Sequence, residues 1–237
     1  DTGTKSWTKA SGLTAQAVFG SRLVFAIESG KSGNATTYTI RTIEHGTLST
    51  PWTSPTDKAP VGAAGLYCLL EDGLYKKDRT KIPGSPSSGL KGICEGPTDD
   101  SVFVVDNTKL YCYDGNTSTW TNIVHGVSSP QSITYLENKH LVLISSGIKG
   151  YGEIKLAGSA PTLAGAQSIK AGSADSSVPP GNILQYNNSV GKYVINPIYA
   201  FDSSTGYVIY AGINDPNTRY TGLWGFYNPG QIEWNRE

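Results

Sequence analysis

The chain contains no methionine, not even at its first position, Asp1. It therefore reads as a processed or recombinant chain with no leader left to interpret. No apolar run approaches the roughly 18 residues of a membrane-spanning helix. Charge is sparse and balanced, with 19 Lys and Arg against 19 Asp and Glu. That balance argues against nucleic acid or an anionic membrane as the main partner, since both select a basic surface. Only three cysteines are present, Cys68, Cys94 and Cys112, and their spacing matches no zinc pattern. The odd number leaves at least one unpaired within the chain. The sequence supports small buried hydrophobes and a Cys68–Cys94 bridge between neighbouring sheets about equally. No stretch shows a convincing helical period. Absent too are a Gly-x-Ser-x-Gly elbow, a phosphate loop and a dinucleotide fingerprint. His45, His125 and His140 are scattered, without metal-ligand spacing. No metal or cofactor is therefore expected.

What the chain has is turn residues and aromatics, with 28 Gly, 14 Tyr and 5 Trp. Residues 101–123 show the pattern most clearly. Ser101–Val105 is β-branched and aromatic, Asp106-Asn107-Thr108 is a turn cluster, and 109–113 is a second strand. Asp114-Gly115-Asn116 turns again, and Trp120 begins a third strand. Asp, Asn and Gly adopt turn conformations readily, while Val, Phe and Tyr suit a half-buried pleated surface. With Gly92–Glu95 ahead of it, this is a four-stranded antiparallel meander, the size of one propeller blade.

Similar units recur along the chain. Residues 15–19, 22–27, 37–43 and 48–53 make a first, with 29–35 as a polar tip. Residues 61–64, 66–70, 73–77 and 80–82 make a compact second, with Asp72-Gly73 as a hairpin signal. Residues 132–136, 140–144 and 152–156 start a fourth. Residues 157–181 read as a long surface loop that holds one strand near Gln167–Lys170. Residues 198–201, 207–211, 223–227 and 231–235 make the last. The repeat of about 35 to 50 residues is that of propellers. The third strands align on Ile40, Leu74, Leu110 and Leu223. The expectation is an all-β, single-domain β-propeller over 1–237 with four-stranded antiparallel blades. Five blades fit the length best, and six fit if 183–195 is a blade of its own. Trp7 is a candidate closing strand, and a β-sandwich is the rival fold.

Leu110-Tyr111-Cys112-Tyr113-Asp114-Gly115, followed by Trp120, resembles the blade signature of fungal and bacterial fucose-specific lectins. The resemblance implies a propeller with sugar sites between blades, each using a Trp or Tyr plate, an Arg and a Glu. Where that family carries its sugar-binding Glu, this chain has Ile40, Leu74, Leu110 and Leu223. An aromatic face stacks on the apolar face of a pyranose, and polar neighbours bind its hydroxyls. The carbohydrate-binding candidates are Trp52, Trp120, Trp224, Trp234, Tyr75 and Tyr111, with Arg41 and Arg219 as forked donors. Arg22 is a third donor of the same kind. Each Trp suits packing between blades equally well, since large aromatics are usually mostly buried.

Three acids, Glu95, Glu137 and Asp202, follow the first strand of their units. Five-bladed glycosidases place three carboxylates around a central funnel, where two of them act as acid and base or nucleophile. Here each acid precedes turn residues, which suits a solvated turn position better. The sequons at Asn34, Asn116 and Asn187 lean toward an extracellular location. Asp215-Pro216-Asn217-Thr218 is a turn with the oxygen donors of a hard-cation loop. The reading is a secreted carbohydrate-binding protein whose partners are glycans or glycoproteins. A five-bladed glycoside hydrolase and a protein-binding propeller are the alternatives.

Overall fold

The computed structural model describes residues 17–19, 23–44, 47–48, 56–146, 151–170, 194–203, 206–214, 222–227 and 234–236, with side chains described over 23–43, 56–145 and 152–168. The described residues are almost entirely β. The first sheet holds β1 (Ala17–Phe19), β2 (Val24–Ser32), β3 (Ala35–Glu44) and β4 (Thr47–Leu48). The second holds β5 (Pro60–Ala64), β6 (Tyr67–Leu70) and β7 (Gly73–Lys76). The third holds β8 (Gly92–Glu95), β9 (Ser101–Val105), β10 (Lys109–Asp114) and β11 (Thr119–Val124). The fourth holds β12 (Pro130–Leu136), β13 (Leu141–Ser146), β14 (Tyr151–Lys155) and β15 (Gln167–Lys170). The fifth holds β16 (Val194–Ser203), β17 (Gly206–Asn214), β18 (Gly222–Tyr227) and β19 (Trp234–Arg236). Within each sheet the strands run in sequence order and pair antiparallel.

The first strands of successive sheets lie side by side: β1 by β5, β5 by β8, β8 by β12 and β12 by β16. That is how propeller blades are laid out, and it differs from the two face-to-face sheets of a sandwich. The third-strand alignment is borne out. Ile40, Leu74 and Leu110 lie in β3, β7 and β10, and each is fully buried against the next sheet.

Successive side chains of a strand point to opposite faces, so every inner sheet is buried on both sides. In the third sheet, Val102, Val104 and Tyr113 join Leu69, Leu74 and Ile82 of the second. The alternate residues Phe103, Val105, Leu110 and Cys112 join Ile133, Val142, Ile144 and Ile154 of the fourth. A loop residue, Leu163, plugs this second seam, and its backbone N–H donates to Thr121 Oγ1 at 2.9 Å.

Several expectations change in the structure. The second sheet has three full strands. Its expected fourth, 80–82, is reduced to one bridge, Tyr75 to Lys81. Two backbone bonds survive, Lys76 N–H to Thr80 O and Ile82 N–H to Leu74 O. Arg79 takes a positive φ of 69°, and Pro83 then brings no N–H to extend the ladder. The 29–35 tip shrinks to Gly33-Asn34, because β2 and β3 pair out to Ser32 and Ala35. Gly33 supplies the positive φ of 62° that this tight turn demands. The result is a polar ribbon whose outer rungs, residues 30–36, are exposed. In the fifth sheet, Val194 and Ile195 join 198–201 in β16 across an irregularity between Ile195 and Ile198, where Pro197 interrupts the ladder. The rest of the 183–195 reading, residues 183–193, and the Trp7 closing strand fall outside the described residues.

The Cys68–Cys94 bridge does not form, and all three cysteines are free. Cys68 pairs with Tyr75 and packs toward the first sheet. Cys94 pairs with Phe103 and packs toward the fourth. The whole core between the second and third sheets separates them. Burial pushes the Cys68 and Cys112 thiols up to about 12, and Cys94 well above its ordinary value. Thiols held neutral are poor nucleophiles. Reduction should therefore leave the mass and mobility of the chain unchanged, and Cys68 and Cys112 should react with a thiol reagent only after denaturation. Rapid labelling of either in the native protein would contradict this packing. Leu110→Ala, which leaves a cavity in the seam between the third and fourth sheets, should cost about 3 kcal/mol, read as a lower urea midpoint at unchanged slope.

Candidate functional site

The aromatic candidates come together at one seam, on the rim between the second and third sheets. Tyr113 and Trp120 are direct cross-strand partners on β10 and β11. Their rings lie 4.8 Å apart at a 40° tilt. Tyr111, two residues earlier on the same face, meets Trp120 edge-on at 6.3 Å. Tyr67 reaches across from β6 to touch Tyr113 edge-on at 5.6 Å. Such offset and T-shaped pairs are the favourable aromatic geometries.

The linker after the second sheet closes over Trp120. The indole Nε1–H donates to Pro83 O at 3.0 Å. Gly84, with φ +71°, lies so close that an added Cβ would sit 3.5 Å from Trp120 Cδ1. Trp120 is therefore half-buried, with its one polar group already used within the chain. It packs against the linker, which is one of the two roles the sequence left open. Further along the same linker, residues 87–89 are exposed.

A small device repeats at this level. Tyr111 donates its phenol O–H to Asp106 Oδ2 at 2.8 Å, from the turn between β9 and β10. Tyr75 donates to Asp72 Oδ2 at 2.9 Å, from the equivalent turn between β6 and β7. Burial and then the carboxylate partner push both phenols up to about 12. Asp106 also accepts from the backbone N–H groups of Thr108 and Lys109, at 2.7 and 2.6 Å. Burial alone would raise its pKa, but these donors and Tyr111 outweigh burial and hold it below the usual carboxylate value.

At Tyr75 the cluster is richer. Lys81 Nζ lies 3.7 Å from Asp72 Oδ2 and 5.9 Å from the Tyr75 ring centre. Asp72 Oδ1 and Ser85 Oγ are both inaccessible and without hydrogen-bond partners. Gly73 makes the crowding possible, since a Cβ there would fall 2.6 Å from Lys81 Cε and 2.7 Å from Ser85 Oγ.

Not all the expected residues meet. Tyr75 packs at the seam between the first and second sheets. Arg41 pairs with Ala26 on β2, on the face opposite Ile40, and so is turned away from the second sheet. Arg41, Tyr75 and Trp120 therefore lie on three different surfaces, and the Trp–Arg–Glu set implied by the lectin resemblance does not assemble among the described residues. Trp52, Arg219 and Arg22 are outside the described residues. Trp224 and Trp234 lie on β18 and β19, with their side chains outside that set.

The three acids do end first strands. Glu95 closes β8, half-buried, and pairs with Val102. Glu137 opens a single exposed 3-10 turn, Glu137–Lys139, after β12. Asp202 pairs with Tyr207 near the end of β16. Among the described residues no group of three or more His, Cys, Asp or Glu is arranged to hold a metal ion.

One acid escaped the sequence reading. Glu153 on β14 is 5% exposed and faces the fifth sheet, opposite Leu143 and in register with Lys170. No motif or spacing marks it in the sequence, and its burial follows from its place on β14, paired with Leu143 of β13.

A family model of lipoproteins matches residues 75–237, from the third strand of the second sheet to the end. The chain belongs to the TP013X lipoprotein family. Two uncharacterised lipoproteins of Treponema pallidum (strain Nichols) resemble it. One is 29% identical over 230 residues, covering 78% of this chain and 59% of the relative. The other is 28% identical over 208 residues, covering 74% and 50%. The chain thus spans between half and three fifths of the length of these two relatives. Among solved structures, the β-propeller domain of Myceliophteria thermophila Cps50 (Swd1) aligns with a TM-score of 0.52 at 13% identity, covering 92% of this chain and 72% of that one. That likeness shows the propeller fold alone. The family places the chain among lipoproteins, which is compatible with an extracellular setting. Among the described residues no helix is long and apolar enough to cross a membrane.

The Asp106–Tyr111 pair sets an acid dependence. Its depressed carboxyl contributes stability that is present above the ordinary Asp pKa and lost as pH falls through the lower folded value. Asp106→Asn should therefore lower stability at neutral pH and flatten the acid limb of a pH–stability curve. An unchanged acid limb would show that Asp106 carries none of it.

Proposed function

We propose that this chain is the recognition module of an envelope-anchored lipoprotein, a single-domain propeller of five blades that binds a protein partner and performs no chemistry. The observation that carries this reading is the exposed ribbon at the end of β2 and β3. Residues 30–36 are exposed on both strands, past the last cross-bridge of the sheet at Tyr38 and Thr56 among the described residues. A two-stranded ribbon is marginally stable in water by itself. Here it grows from a sheet whose root, Phe25, Ile27 and Ile40, is fully packed. Ser, Thr, Asn and a lone lysine, Lys31, give it hydrogen-bonding edges and little charge, which suits contact with another polypeptide through backbone pairing. Membership of a lipoprotein family supports a lipid anchor that would hold such a module at a membrane surface.

A glycan partner is the second reading, favoured by the aromatic cluster of the half-buried Trp120 with Tyr111 and Tyr113 at the rim. A glycan array, run beside cross-linking from position 31 to proteins of the native envelope, separates the two. The expected result is a blank array and a cross-linked protein that is lost when residues 30–36 are replaced by a two-residue turn. An array signal abolished by Trp120→Phe would put the lectin reading in its place. Turnover of an aryl-glycoside that Glu137→Gln abolishes would make the chain an enzyme.

A further inference from the structure

We propose that His125 is a pH-sensitive clasp on the seam between the third and fourth sheets. The residue follows β11, begins the linker to β12, and is 1% exposed. Its backbone N–H donates to Thr108 O at 3.1 Å, which fastens the linker to the turn between β9 and β10. The ring then makes two contacts of opposite kind. Nε2 lies 3.1 Å from Asp106 O, and Nδ1 lies 2.9 Å from the backbone nitrogen of Val127.

The chemistry of these partners fixes the tautomer. A carbonyl oxygen can only accept, so Nε2 carries the proton. A peptide N–H can only donate, so Nδ1 is bare. A second proton has one place to go, Nδ1, where it would face the Val127 N–H as donor against donor. Protonation therefore breaks one buried hydrogen bond and places a charge where water cannot reach it.

The charged group beside the ring is the Asp106 carboxylate, already engaged by Thr108, Lys109 and Tyr111. Lys109 begins β10 and pairs with Val124, next to the histidine. On the fourth-sheet side the seam is apolar. Its other titratable members, Cys94, Cys112 and Tyr135, are all pushed up by burial and stay neutral. Burial lowers the His125 pKa, and the bond and charge of Asp106 oppose it only in part.

What the clasp holds is under tension. Gly126 and Ser129 both sit at positive φ, 70° and 49°, and the second is unfavourable for a residue with a Cβ. Between them Val127, 4% exposed, is inserted into the core with Phe103, Leu110, Ile133 and Leu163. Releasing the Val127 N–H frees a strained linker from the seam. The sign follows from the lowered pKa. The clasp contributes its stability above the ordinary histidine value of about 6.5 and loses it as pH falls through the lower folded value.

Amide exchange on the intact chain, followed from about pH 7.5 to about pH 5 and corrected for intrinsic rates, tests this over the range in which histidine titrates. Peptides covering 125–133 should lose about tenfold in protection, the worth of one buried hydrogen bond left unmade. Peptides of the seam between the second and third sheets should not. His125→Gln should abolish the pH dependence, whereas His140→Gln should keep it. The same loss in His125→Gln, no loss in the parent chain, or a loss spread evenly over both seams would overturn the proposal. Should His125→Gln fail to fold, the ring nitrogens of the parent decide by NMR. A bare Nδ1 near neutral pH that titrates below free histidine supports the clasp, and an Nδ1 already protonated at neutral pH refutes it.

Discussion

Everything in this molecule depends on the burial of both faces of a short antiparallel sheet. A four-stranded meander of four- to six-residue strands, such as β8 to β11, is too small to be stable alone. Its alternation gives it two apolar faces, Val102, Val104 and Tyr113 on one and Phe103, Val105 and Leu110 on the other. Neither face can be left to water, so a neighbouring sheet is required on each side. Repeating that requirement along the chain produces a row of sheets joined through their first strands, which is the logic of a propeller. The same alternation keeps the cysteines apart, because Cys68 and Cys94 belong to seams on opposite sides of an intervening core.

With the seams apolar, polar chemistry is left to the turns. Asp72 and Asp106 each receive the phenol of the following strand's tyrosine, and Asp106 also takes two backbone N–H groups. Its neighbour His125 ties the same turn to the next linker through two ring nitrogens with different duties. These contacts carry little free energy individually. They set where each linker crosses from one sheet to the next, and so they control the register between sheets. Trp120, Tyr111 and Tyr75, among the candidate sugar platforms, use their polar groups to hold linkers and turns in place.

A scaffold of this kind leaves its outward turns free to vary. The β2–β3 ribbon and the linker over 87–89 are among the described places where the chain offers exposed polar groups. Membership of a lipoprotein family adds a setting compatible with an extracellular location.

The sequence by itself determined the strand units and their faces. Apolar alternation and Asp, Asn and Gly turns are local, so β8 to β11 and the aligned Ile40, Leu74 and Leu110 could be read from residue spacing. Only the tertiary structure decided which groups meet. Whether Trp120 binds a ligand or packs under Pro83-Gly84 depends on a linker 36 to 37 residues away in the chain. Whether Cys68 reaches Cys94 depends on which seam each enters. The histidine at 125 carries no motif, and its role arises because Asp106 and Val127 present an acceptor and a donor to one buried ring. Periodicity is written in neighbours along the chain, whereas partnership between distant groups is set by how the sheets stack.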